Sequence, residues 1–168
     1  KKNISYISDI KNSDLKIINK KLLFTMKDIH MVKNCDYIIF CLPTPLKGNA
    51  PDISHINSAF NSCYNFLTSN QTIILESTVY PGATEDIFLK KLNQKFKVGK
   101  NFFLCFSPER IDPGNQKFKD KKYKNITKLI SGHSNKCIRR IQKIYKKIFK
   151  EVFVCQDIKI AETAKLFE

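Results

Sequence analysis

Three short runs, Tyr37-Ile38-Ile39-Phe40-Cys41-Leu42, Thr72-Ile73-Ile74-Leu75 and Phe102-Phe103-Leu104-Cys105-Phe106, are apolar almost throughout. That pattern limits the possible folds, because a strand with one face in water alternates polar and apolar side chains and a strand covered on both faces does not. The intervals between the runs have another rhythm. Ile53, Ile56, Phe60, Cys63 and Leu67 recur at steps of three and four, which lays one apolar stripe along a helix. Asp52 or Ser54 offers its cap. Thr84 to Phe96 is helical, with Ile87, Phe88 and Leu92 inward. Strands and helices alternating at about thirty-residue spacing predict βαβ units around a parallel sheet.

The pattern continues through the second half. Lys128-Leu129-Ile130-Ser131 is strand-like, Cys137, Ile138, Ile141, Ile144, Tyr145, Ile148 and Phe149 mark an amphipathic helix, Val152 to Cys155 is a last strand, and a new helix begins near Ile158. The amphipathic helix carries Arg139, Arg140, Lys143, Lys146 and Lys147 on its other face. Such a helix suits an anionic membrane surface, but its wide apolar stripe favours docking on a sheet. At the start, Ser13 to Lys20 reads as helix and Leu22 to Thr25 as strand, so the chain enters the pattern in mid-stride. Lys117 to Lys128 reads as a solvated, lysine-rich loop.

The 168 residues suffice for one domain with a real core. A net charge of +15 raises the question of nucleic acid. Arginine, whose planar fork suits phosphates and base edges, is nevertheless confined to Arg110, Arg139 and Arg140, and lysine supplies the rest of the positive charge. No nucleic-acid partner is expected. The six cysteines form no CxxC pair, and neither they nor His30, His55 and His133 show metal-ligand spacing. They read as thiols of a reducing cytoplasm, with no metal. No apolar run reaches the roughly 18 residues of a membrane span, and no leader pattern opens the chain.

Chemistry-bearing residues cluster where the apolar runs end. Cys41-Leu42-Pro43-Thr44-Pro45-Leu46 leaves the first run, its two prolines fixing the direction of Thr44. Glu76-Ser77-Thr78-Val79-Tyr80-Pro81-Gly82 leaves the second and leads into a helix start, where unpaired amides attract anions. Ser107-Pro108-Glu109-Arg110-Ile111-Asp112-Pro113-Gly114-Asn115 leaves the third. Glu109, directly after a strand and a proline, is solvated, paired with Arg110, or kept for proton transfer. Ala161-Glu162-Thr163-Ala164-Lys165 is helical, with Glu162 and Lys165 on one face. In open parallel sheets, ligands bind at the carboxyl ends of strands.

These four motifs, in this order, resemble the nucleotide-sugar 6-dehydrogenases of the UDP-glucose dehydrogenase superfamily, over nearly the whole chain. The SPERIDPGN stretch, with Pro113 where the UDP-glucose branch has a second carboxylate, looks most like the branch that oxidises UDP-N-acetylhexosamines. UDP-N-acetylglucosamine is favoured over UDP-N-acetylmannosamine. The resemblance implies an α/β fold: a Rossmann-type parallel sheet with helices on both faces, lacking its first βαβ unit and followed by the start of a long central helix. Residues 1–157 would be a partial NAD-binding domain and 158–168 the beginning of a dimerisation helix, with a UDP-binding domain absent. The implied reaction takes C6 of the sugar from alcohol to carboxylate with two NAD+ and a nucleophilic cysteine.

By motif match, Leu42, Pro43, Thr44, Pro45, Leu46, Ser77, Thr78 and Val79 would line the NAD site. Glu109 would be the general base for ester hydrolysis, Thr78 would hold the hydrolytic water, and Lys165 would stabilise the developing oxyanion. Glu109, Arg110, Ile111, Asp112 and Lys165 would border the UDP-sugar. A cytoplasmic homodimer with no membrane or nucleic-acid partner is implied for the whole protein. No GxGxxG cluster occurs among the five glycines, and no cysteine has the context of the family nucleophile. The chain on its own is therefore expected to be inactive, and poorly stable because an apolar strand keeps an open edge. Two alternatives stand beside this reading: another two-domain NAD(P) dehydrogenase, and a noncatalytic basic binding module.

Overall fold

The computed structural model describes residues 4, 11–18, 28–48, 50–110 and 126–167. The strand expected at Leu22 to Thr25 and the residues Ile111, Asp112, Pro113, Gly114 and Asn115 lie outside the described residues. The first helix, α1, spans Asn12–Ile18, and a 3-10 turn, Ile29–Asn34, precedes β1, Tyr37–Phe40. A small antiparallel hairpin follows, β2 Leu46–Lys47 and β3 Ala50–Pro51. Then come α2 Ser54–Tyr64, β4 Thr72–Leu75, a π-helical turn Glu85–Leu89 running into α3 Lys90–Lys95, and β5 Phe103–Phe106. β6 Lys128–Gly132, α4 Asn135–Tyr145, β7 Val152–Val154 and α5 Ile158–Leu166 complete the order.

The main sheet has the order β1-β4-β5-β6-β7. β1, β4 and β5 are mutually parallel, in the register Phe40 to Leu75 to Phe106. Every residue of β4 and β5 is buried, as their unbroken apolar runs predict. Alternate side chains serve opposite faces. Ile73, Leu75, Leu104 and Phe106 join Phe60 and Cys63 of α2, Leu92 of α3 and Ala161 of α5 in one core. Ile74, Phe103 and Cys105 join Cys137, Ile141 and Tyr145 of α4 in the other. Helices therefore cover both faces, and the basic helix docks on the sheet through its apolar stripe. Ile148 lies beyond the end of α4 and is exposed.

Neither Asp52 nor Ser54 caps α2: Ile53 holds the N-cap position without a side-chain cap bond, and Asp52 Oδ1 accepts the Ser54 amide at 2.8 Å in a local turn just ahead of the helix. β1 and β7 are the sheet edges among the described residues, and Ile39 and Phe153 are exposed there. No helix among the described residues is long and apolar enough to cross a membrane.

Two strands depart from the expected parallel order. β6 runs antiparallel to β5, with Cys105 opposite Gly132 and Phe106 opposite Ser131, and β7 is parallel to β6. The sheet is thus mostly parallel, with its last two strands reversed. An unbroken apolar run carries no mark of strand direction, so the sequence pattern does not distinguish the two senses. Gly132 ends β6 against the first turn of α4, where a Cβ would come within 2.8 Å of both Cys137 Cβ and Ile138 N. Only glycine allows so close an approach.

Candidate active site

The parallel strands β1, β4 and β5 end at one rim of the sheet, and the segments that leave them are tied together. The Leu42 amide donates to Ser77 Oγ at 2.9 Å, and Thr44 Oγ1 donates to the Thr78 carbonyl at 2.7 Å. Thr44 and Thr78 are therefore neighbours, as a shared binding rim requires. Ser77 is buried, and the Thr78 side chain is exposed on the rim. Pro43 and Pro45 are exposed beside Thr44. Val79 packs into the core at 2 % exposure, so it can meet a ligand only through its backbone. Leu46 is 76 % exposed in the β2 strand of the hairpin.

Glu109 leaves β5 at the same rim. Its Oε1 accepts the Arg110 amide at 2.9 Å and its Oε2 accepts Lys128 Nζ at 3.1 Å. Lys128 is only 2 % exposed, so the lysine expected on a solvated loop is buried instead. The antiparallel sense of β6 explains this, because its first residue reaches the carboxyl ends of the parallel strands. Lys128 Nζ also lies 3.4 Å from Glu76 Oε1 and donates to the Pro108 carbonyl at 3.3 Å. Glu76 in turn accepts the Tyr145 hydroxyl and lies 3.7 Å from Cys41 Sγ. Burial, and then the Glu76 charge, hold the Tyr145 hydroxyl protonated far above its ordinary range. Cys41 is exposed as a residue, yet desolvation and then Glu76 push its thiol up to about 11. That environment opposes the thiolate a nucleophile needs.

Lys165 sits on α5, which packs against β5 and β6. With Arg110, Pro108, Thr127, Leu129, Phe153 and Ala164 it lines a cavity of about 330 Å³. The structure thus brings Arg110 and Lys165 together, while the Glu109 carboxylate is held by Lys128 and does not line that cavity. Glu162, three residues before Lys165, is fully buried. It accepts the Gly82 amide, the Thr84 amide at 2.8 Å and the Thr84 hydroxyl at 2.6 Å. Burial raises its pKa, and the bonds from Thr84 and Gly82 oppose that rise. The helix start after β4, expected to attract an anion, is therefore filled by a carboxylate of the chain itself. Gly82 has φ +97°, a left-handed conformation that aims its amide at Glu162 without Cβ strain.

The rim offers a bound ligand an exposed Thr78 side chain, the adjoining Thr44 and the strand-end backbone beside Pro43 and Pro45. Sequence reasoning missed Lys128, because a lysine at the end of a basic loop looks solvated. The one available signal was that it opens the apolar run of β6. The anchoring role of Glu162 left no local trace, since its partners lie about eighty residues away.

A family model described as the UDP-glucose/GDP-mannose dehydrogenase family, NAD binding domain, matches residues 7–149. The chain is 32% identical over 153 residues to a UDP-N-acetyl-D-glucosamine 6-dehydrogenase of Salmonella typhi, covering 88% of this chain and 35% of that protein. It is 31% identical over 139 residues to a UDP-N-acetyl-D-mannosamine dehydrogenase of Pyrococcus horikoshii, covering 82% and 32%. The solved structure of UDP-D-ManNAc dehydrogenase from Pyrococcus horikoshii superimposes with a TM-score of 0.84 at 26% identity, over 99% of this chain and 40% of that one. The chain spans less than two fifths of the length of these two sequence relatives.

Proposed function

Because the chain belongs to the UDP-glucose/GDP-mannose dehydrogenase family through its NAD-binding domain, we propose that it forms the cofactor rim and part of the catalytic apparatus of a UDP-N-acetylhexosamine 6-dehydrogenase. UDP-N-acetylglucosamine is the favoured substrate. The cofactor is NAD, which would supply the hydride acceptor for each of two oxidations at C6. Thr44, Thr78 and the backbone of Leu42 to Leu46 and Ser77 to Val79 would hold it.

The chain's own residues would act chiefly on the oxygen and acyl chemistry. Lys165, on the helix anchored by Glu162, would stand over the C6 oxygen and stabilise negative charge as it develops. Arg110, in the same cavity, would meet the substrate's anionic portion. In the final step, water adds to the acyl carbon of a thioester formed on a cysteine outside this chain, and its proton passes to the Glu109 carboxylate. The carbon–sulfur bond then breaks and the thiolate leaves. The sugar alcohol and one water thus yield the carboxylate, with both electron pairs carried away as NADH.

The observation that carries this reading is the meeting of Thr44 with Thr78 at the rim onto which Glu109 also opens. The whole protein is proposed to be a cytoplasmic homodimer, with residues 1–157 as its NAD-binding domain, α5 as the start of its central helix and a further domain binding UDP. NADH formation by the full-length enzyme tests the reading. UDP-N-acetylglucosamine should give the highest kcat/KM, followed by UDP-N-acetylmannosamine and UDP-glucose. The 168-residue chain alone should give none. No turnover of any UDP-sugar by the full-length enzyme would sink the proposal.

A further inference from the structure

We propose that Lys128 is a positioning residue that acts through Glu109, an inference that rests on Glu109 serving as the base in the hydrolytic step. A buried ammonium is costly unless it is paired and hydrogen-bonded. Lys128 meets that condition with two carboxylates and a carbonyl: Glu109 Oε2 at 3.1 Å, Glu76 Oε1 at 3.4 Å and the Pro108 oxygen at 3.3 Å.

The two carboxylates are not equivalent. The Glu76 side chain is 14% exposed, and Tyr145 and Cys41 also bond it. The Glu109 side chain is 42% exposed. Glu76 is therefore the fixed anchor of the ammonium, and Glu109 is the partner that opens to the rim. Tyr145 and Phe149 close the inner side, their ring centroids 5.4 and 5.6 Å from Nζ. Oε2 accepts Lys128 and Oε1 accepts the Arg110 amide, so both Glu109 oxygens are engaged by this chain's own donors before any water arrives. The same ammonium lies between two negative charges that would otherwise repel each other at the strand exits. Removing the cation alone would leave Glu76 buried without its partner, so a stabilising role and a positioning role are told apart by which kinetic step the substitution slows.

The test compares Lys128→Met, Lys128→Arg and Glu109→Gln in the full-length enzyme by pre-steady-state NADH formation with UDP-N-acetylglucosamine. Lys128→Met should keep the full burst amplitude and the KM while its steady-state rate falls about 100-fold, the scale of a misplaced catalytic group. Lys128→Arg should recover most of that rate, and Lys128→Met should have no further effect in a Glu109→Gln background. A merely structural lysine would instead lower burst amplitude and rate in proportion, and that result would overturn the proposal. A normal Lys128→Met enzyme beside a slow Glu109→Gln enzyme would overturn the positioning role alone. A Glu109→Gln enzyme with normal turnover would overturn the assignment of the base, and the proposal with it. Should Lys128→Met not fold, the ammonium resonance of Lys128 can be followed by nitrogen-15 NMR. It should be protected from exchange and should shift in Glu109→Gln; an unchanged resonance would overturn the contact on which the proposal stands.

Discussion

α4 opens on Ser134, whose hydroxyl accepts the Cys137 amide three residues along, whereas the helical segment after β4 opens on Glu162, a carboxylate brought from about eighty residues downstream. Both devices satisfy amides that a helix start leaves unpaired. The first serves only its own helix. The second joins two helices, so the same three bonds that cap the segment after β4 also fix the height at which α5 presents Lys165. A local cap stabilises an element; a distant one also sets where another element stands.

Substitutions at the two starts should separate these roles. Glu162→Ala has the largest expected effect, because it leaves the Gly82 and Thr84 amides and the Thr84 hydroxyl buried without their acceptor. It should lower the unfolding free energy by about 3 kcal/mol, measured by denaturant titration. Hydrogen exchange should quicken at Gly82 and Thr84 and along α5 together. If only the segment after β4 loosened, the two helices would not be joined as described.

Gly82→Ala should cost about 1.5 kcal/mol, the strain of a side chain at φ +97°, since the nearest atom to the new Cβ, Lys159 Cε, is 3.6 Å away and leaves room. Ser134→Ala should cost about 1 kcal/mol, with faster exchange confined to the first turn of α4. A comparable loss of protection in α5 would break the contrast.

The smallest effect concerns pH. Burial raises the Glu162 pKa above its ordinary 4.5, so the folded chain holds that proton more readily than the unfolded chain. The resulting stability is fully present below about 4.5 and is lost as pH rises through the raised value. The melting temperature of the native chain, compared with Glu162→Gln at each pH, should therefore decline relative to the variant as pH rises through that window. A difference that grew with pH would contradict the burial of Glu162.

Much of this molecule was legible in its sequence, for a physical reason. The unbroken apolar runs of β4 and β5 required cover on both faces, and the stripes through Ile56, Phe60 and Cys63 and through Cys137, Ile141 and Tyr145 supplied it. The strand exits bearing Thr44, Thr78 and Glu109 could be read for the same reason, because polar residues ending such runs mark the rim. Strand direction could not be read: an apolar run looks the same in either sense, so the reversal of β6 was missed. The burial of Lys128 went with it. Glu162 was visible only as a neighbour of Lys165 along the helix, whereas its energetics depend on Gly82 and Thr84, which periodicity cannot connect to it.

The bond from Thr44 to the Thr78 carbonyl and that from Leu42 to Ser77 make the two segments leaving β1 and β4 a single lip. Neither half can be re-aimed alone. A change of side chain at Thr44 would be felt by whatever rests on Thr78, and altered cofactor preference in this chain would call for paired changes on both halves.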